Sequence, residues 1–148
     1  MGVMAVGAWL LFSNRAAAAS LARRFVPSTA MVAYIGVALT IAGIAFAIWA
    51  RFFLGTNWSA TPSIKQGHEL VRSGPYAIVR HPIYSGFLLG LLGTAIYAGD
   101  FRALAAFGIV LIGLKWKSLT EESLMQQQFG AQYVDYRRQV KGIIPFVW

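Results

Sequence analysis

The side chains best placed to do chemistry together fall in two short stretches. Gln66, His68, Tyr76, Arg80, His81 and Tyr84 supply imidazoles, phenols and a guanidinium, and Lys117, Glu121 and Glu122 add an ammonium and two carboxylates further on. A cation of this kind orients a carboxylate, and a glutamate can take a proton from an amine. The segment Gly74-Pro75-Tyr76-Ala77-Ile78-Val79-Arg80-His81-Pro82-Ile83-Tyr84-Ser85-Gly86 runs straight into an uncharged apolar stretch. That sets a polar loop at the mouth of a membrane helix, where binding at the interface is its natural use. Other chemistries drop out. No Gly-x-Gly and no Walker sequence occurs, which removes the usual dinucleotide and phosphate loops. With two histidines at no His-x-x-x-His spacing and no cysteine, no metal site is expected, and no nucleophile elbow is present for a serine triad.

The elements that position these residues follow from composition. At 57% hydrophobic, 12% charged and a mean hydropathy of +0.59, the chain lies far from the roughly 25% charged of a soluble domain. An all-α integral membrane protein of three to four transmembrane helices is expected, since each crossing takes ~20 residues. The 148 residues form a single membrane domain on this reading, with N-terminal helices in 1–50 and the polar cluster in 51–148. Gly2 to Phe12 is a short apolar run without a charged stretch before it, so a signal peptide is not expected. Val26 to Ala50 is the clearest span, and its Gly36, Thr40 and Gly43 share a face suited to close helix packing. A second span runs from Ile83 to Gly99. After a turn at Asp100-Phe101-Arg102, a third begins at Ala103 and continues past Lys115 to about Gln128, making a helical hairpin whose polar extension emerges beside the 51–81 loop. Tyr133, Tyr136 and Val140 recur at helical spacing, which predicts an amphipathic C-terminal segment lying on the membrane or across the loop, ended by Pro145.

Parity of crossings gathers Arg51, Lys65, Arg72, Arg80, Lys115, Lys117, Arg137, Arg138 and Lys141 on one side, and the positive-inside rule makes it cytoplasmic. Arg15, Arg23 and Arg24 oppose that orientation. The net charge of +8 faces anionic headgroups on this reading, not nucleic acid.

Arg80-His81-Pro82-Ile83-Tyr84-Ser85-Gly86, then Glu121-Glu122-Ser123-Leu124, Phe129-Gly130, Tyr133, Tyr136, Val140 and Ile144-Pro145-Phe146, in that order, resemble the isoprenylcysteine carboxyl methyltransferase family of membrane enzymes. The related phospholipid methyltransferases share part of the pattern, which covers about residues 66 to 146. The resemblance implies an S-adenosylmethionine site on the cytosolic face in the 51–148 half and a lipophilic substrate that enters from the bilayer. It implies that His81, Tyr84 and Gly86 sit in the cofactor pocket, that Gly74, Pro75 and Tyr76 shape its entrance, and that His68 and Arg80 belong with them. Glu121 and Glu122 match the family's acidic pair. Lys117 stands near where members often carry arginine, and lysine cannot grip a carboxylate with two donors as guanidinium does.

Methyl transfer from a sulfonium is an in-line displacement, which needs positioning and no metal or covalent intermediate. A carboxylate acceptor is already a nucleophile and asks only for a cation such as Lys117. An amine must first lose a proton, and Glu121 or Glu122 then serves as base. The expectation is O-methylation of a prenylcysteine-like carboxylate; the alternatives are N-methylation of a phospholipid amine, S-methylation of a small lipophilic thiol, and a membrane assembly protein without activity. Several residues also have structural readings. Arg80 suits a headgroup anchor, Gly86 and Gly90 a helix-packing pair, Ser118 to Glu121 a capping box, and Lys117 with Glu121 an i,i+4 ion pair. Tyr133 and Tyr136 read as packing residues.

Overall fold

The computed structural model describes Trp9 and residues 21–55 and 70–145. The Gly2–Phe12 run, apart from Trp9, lies outside them, as do Gln66, His68 and Phe146. Among the described residues the order is α1 (Ala30–Leu54), a 3-10 turn (Gly74–Ala77), α2 (Pro82–Ala98), α3 (Phe101–Phe129) and α4 (Ala131–Gln139). The extended contacts among the described residues are two isolated bridges, Arg24 with Asp100 and Val79 with Lys141.

α1 begins four residues later than the expected span. Pro27 offers no N–H, and Thr29 caps the helix, its hydroxyl oxygen accepting from the Val32 N–H at 3.3 Å. The helix also outruns the apolar stretch and includes Arg51, because a charge ends a hydrophobic run without ending a helix. α1 and α3 are long and apolar enough to cross a membrane, with 25 and 29 residues, while α2 is a shorter apolar helix of 17. A wide face of α1 stays uncovered: Met31, Tyr34, Ile41 and Phe52 are exposed, Phe52 to 78%. Such a face is stable in hydrocarbon and costly in water.

The chain falls into two compact units, Met1–Ile44 with Gly86–Leu114, and Ala45–Ser85 with Lys115–Trp148. In the first, α1 and α2 meet backbone to backbone. A Cβ on Gly36 would lie 2.8 Å from the Gly93 carbonyl oxygen, and one on Gly43 would run into the backbone of Gly86 and Gly90. The face predicted from Gly36, Thr40 and Gly43 is the contact face. Thr40 ties it, donating to its own Gly36 carbonyl at 2.9 Å, with the Gly90 carbonyl at 3.2 Å. α2 and α3 pack through Ala95, Ala103 and Ala106, with Leu91 and Phe107 around them.

The hairpin turn is Gly99-Asp100, shorter than the expected Asp100-Phe101-Arg102. Asp100 is the cap of α3, its carboxylate accepting the Ala103 N–H at 2.9 Å, so Phe101 and Arg102 are already helical. Arg24 lies on this turn, donating to the Ala98 carbonyl at 3.1 Å and to that of Val26 at 3.1 Å. It satisfies a carbonyl at the end of α2 that the helix itself leaves open.

Candidate active site

In the second unit the Arg80-His81 dipeptide sits between the 3-10 turn and α2. Gly74 opens the turn with φ 59°, and a Cβ there would meet the Phe53 ring at 2.6 Å, so the position needs glycine for its backbone and for its neighbour. Pro75 and Tyr76 are buried behind it. Pro82 occupies the first position of α2, where a missing N–H costs nothing, and His81 immediately precedes it. Residues 79–81 run parallel to the C-terminal segment. The Arg80 N–H donates to the Lys141 carbonyl at 2.8 Å, the His81 N–H to that of Gly142 at 2.9 Å, and the Ser85 hydroxyl to that of Ile143. This pairing ends α4 at Gln139, since Val140 is already extended, well before Pro145.

Two adjacent glutamates on α3 receive this loop. Both lie mid-helix: α3 is continuous through Ser118, whose hydroxyl donates to the Lys115 carbonyl at 2.8 Å, so the capping-box reading fails. Glu122 is nearly enclosed, its side chain 6% exposed. Its Oε1 accepts from Arg80 Nε at 3.1 Å and Nη2 at 2.5 Å and faces His81 Nε2 at 3.2 Å, and its Oε2 lies 3.5 Å from Arg137 Nε. Glu121 is more open. Its Oε1 accepts from the Tyr84 hydroxyl at 2.5 Å and lies 3.8 Å from Lys117 Nζ, while Oε2 is 3.5 Å from His81 Nδ1. The Tyr84 ring stacks on His81 at 5.5 Å and 6°, and Lys117 Nζ hovers 5.3 Å from the centre of that same ring.

Each ring nitrogen of His81 therefore faces a glutamate carboxylate. A neutral imidazole has one N–H and one bare lone pair, and the lone pair would face a carboxylate; the imidazolium satisfies both sides. Burial alone would push His81 down, but its hydrogen bonds to Glu121 and Glu122 and their charges outweigh burial and raise its pKa above the ordinary 6.5. Burial also pushes the Tyr76 phenol up to about 12, against the pull of Arg51, so Tyr76 acts at neutral pH as a neutral hydrogen-bonding group.

Of the residues expected from sequence, Arg80, His81, Tyr84, Lys117, Glu121 and Glu122 form one connected cluster. Tyr76 stands behind it, its carbonyl accepting the Tyr136 hydroxyl at 2.6 Å. Gly74 contacts Phe53 instead of the cluster. Gly86 belongs to the other unit, against Gly43, and His68 lies outside the described residues. Tyr133 and Tyr136 are buried, as expected of packing residues. Sequence reasoning missed Arg137 and Ser85 as members of the network. Ser85 carries a readable signal, four residues after His81 in the first turn of the helix that follows it; Arg137 reached the site through a fold-back that spacing does not encode.

The family profile for phospholipid methyltransferase matches residues 31–132. The chain belongs to that family. It is 38% identical over 88 residues to protein-S-isoprenylcysteine O-methyltransferase B of Arabidopsis thaliana, covering 56% of this chain and 43% of that protein. It is 43% identical over 72 residues to methanethiol S-methyltransferase 2 of Bradyrhizobium diazoefficiens, covering 47% and 26%. The solved structure of the eukaryotic intramembrane Ras methyltransferase, isoprenylcysteine carboxyl methyltransferase, superposes with a TM-score of 0.78 at 28% identity, covering 99% of this chain and 52% of the other. The chain thus spans about half the length of that structure, and 43% of the Arabidopsis relative. With its apolar helices, this likeness makes it an integral membrane protein.

Proposed function

We propose that this chain is an S-adenosylmethionine-dependent membrane methyltransferase that O-methylates the carboxylate of a prenylcysteine-like lipophilic substrate. The observation that carries the reading is the partly open Glu121, held between Tyr84, His81 and Lys117 at the start of an apolar helix. The donor set suits the cofactor: an ammonium and a sulfonium call for a carboxylate, and a flat base for stacked rings. When bound, S-adenosylmethionine supplies a methyl group activated by a positive sulfur. His81, Tyr84 and Glu121 would hold it. Lys117 would orient the acceptor carboxylate, whose oxygen would receive the methyl group that the cofactor supplies. That step needs no proton transfer. The protein contributes alignment at ~3–3.5 Å and exclusion of water.

We further propose three to four crossings within a single membrane domain over 1–148, the C-terminal segment and the site lying on the cytoplasmic side. Support for the orientation comes from the basic residues at this end, Arg72, Arg137, Arg138 and Lys141.

A second reading is favoured by one specific observation, the 43% identity to a thiol methyltransferase. Under it the acceptor is a small lipophilic thiol, and Glu121 assists its deprotonation. The deciding experiment uses protein in detergent, methyl-labelled cofactor and farnesylcysteine or a short alkyl thiol as acceptor. A carboxyl methyl ester releases labelled methanol in mild alkali, and a thioether or methylated amine does not. Absence of cofactor binding by the wild type defeats both readings.

A further inference from the structure

We propose that Arg80 and Glu122 are positioning residues, a clasp that fastens the C-terminal segment 137–143 to α3 and aims His81 at Glu121, and that neither touches the cofactor or the acceptor. Every edge of the Arg80 guanidinium is already used by protein. Nε and Nη2 donate to Glu122 Oε1, and Nη1 donates to the carbonyls of Arg137, at 3.3 Å, and Val140. Its side chain is 9% exposed. An arginine meant for a ligand's carboxylate presents a free fork, and this one has none.

Glu122 shows the same saturation from the other side. Arg80, His81 and Arg137 surround its two oxygens, and three cationic partners keep it ionised. A carboxylate so held is a poor base. Its partners come from two places in the chain, the Arg80-His81 loop and the end of α4, and Glu122 itself sits on α3, so it is the point at which the three are joined. The backbone carries the same message, since residues 141 and 142 accept from the N–H groups of residues 80 and 81.

The clasp as an anchor of the C-terminal segment stands on geometry alone; only its kinetic consequence rests on the methyltransferase reading. Trypsin offers a direct readout, because Arg137, Arg138 and Lys141 all lie on the fastened segment. In detergent and without cofactor, Glu122→Gln and Arg80→Ala are expected to be cut there about tenfold faster than wild type, with Arg80→Lys in between. The pH profile supplies the second readout. His81 is faced by Glu121 and Glu122 from α3 and by the Tyr84 ring from α2, with Lys117, Arg80 and Arg137 on those carboxylates. Removing the Glu122 charge takes away one of the two groups that hold the imidazolium, so in Glu122→Gln the alkaline limb of activity moves to lower pH; a merely structural role would leave it in place. If Arg80→Ala does not fold, Glu122→Gln, nearly isosteric, carries the test. The proposal is overturned if both variants are cut at the wild-type rate, or if Arg80→Ala loses S-adenosylmethionine binding while the segment stays protected. Failure of wild type to bind the cofactor would sink the methyltransferase reading and leave the proteolysis result intact.

Discussion

At the scale of single residues, Tyr84 joins three groups of the cluster: its hydroxyl serves Glu121, one face stacks on His81, and Lys117 approaches the ring. Tyr84→Phe keeps the ring and removes the donor, leaving a partly buried carboxylate one bond short. The expected cost is about 1–3 kcal/mol of stability, with at least a tenfold fall in kcat, read by thermal unfolding in detergent and by turnover. His81 gives a pH signature. Its folded pKa lies above the unfolded value of 6.5, so its contribution is fully present below pH ~6.5 and is lost as pH rises through the raised folded pKa. The wild-type Tm is expected to fall over that interval, and His81→Gln, which cannot titrate, to flatten the curve; an unchanged slope would show that the imidazolium is not the source. This pairing was only half legible in sequence. His81 looked like an imidazole in want of a partner, and its spacing from Glu121 and Glu122 along the chain says nothing of their meeting. The carboxylates themselves were visible as candidates because the chain holds five acidic residues in all, and this adjacent pair matches the family's pattern.

At the scale of elements, α1 and α2 are held by small residues, and here the sequence was most readable. Gly36, Thr40 and Gly43 lie on one face by arithmetic alone, and that arithmetic is what brings backbones together. Gly43→Leu is expected to abolish recovery of folded, monodisperse protein, since its side chain would displace backbone of α2. Gly108, mid-helix in α3, makes the opposite case, because a Cβ added there would meet nothing within 4 Å. Gly108→Ala should raise stability by about 1 kcal/mol through helix propensity, measured by thermal unfolding in detergent. Helix ends were less readable. Thr29 and Asp100 set their helices by side-chain caps, and α4 stops at Gln139 because residues 141 and 142 find partners in residues 80 and 81, a long-range reason that no local pattern carries.

At the scale of the whole molecule, the absence of cysteine becomes an asset. A single cysteine placed by Arg138→Cys, on an exposed position of α4, tests the cytoplasmic assignment without background. In sealed cells a membrane-impermeant maleimide is expected to leave it unlabelled and to label it after permeabilisation; labelling of intact cells would reverse the orientation. Arg23 and Arg24 weighed against that orientation in the charge count. Arg24 has a local task, closing the end of α2, so at least one of those charges is explained without reference to the membrane potential or its lipids.

The Lys117–Glu121 pair is complete before any acceptor arrives. Binding is then an exchange of ions, and the sign of what is displaced reveals what came in. A carboxylate must win Lys117 from Glu121, so simple anions such as chloride or acetate should compete with it and raise its KM. An amine arriving as ammonium must win Glu121 from Lys117, and cations should compete instead. A neutral thiol would be indifferent to both.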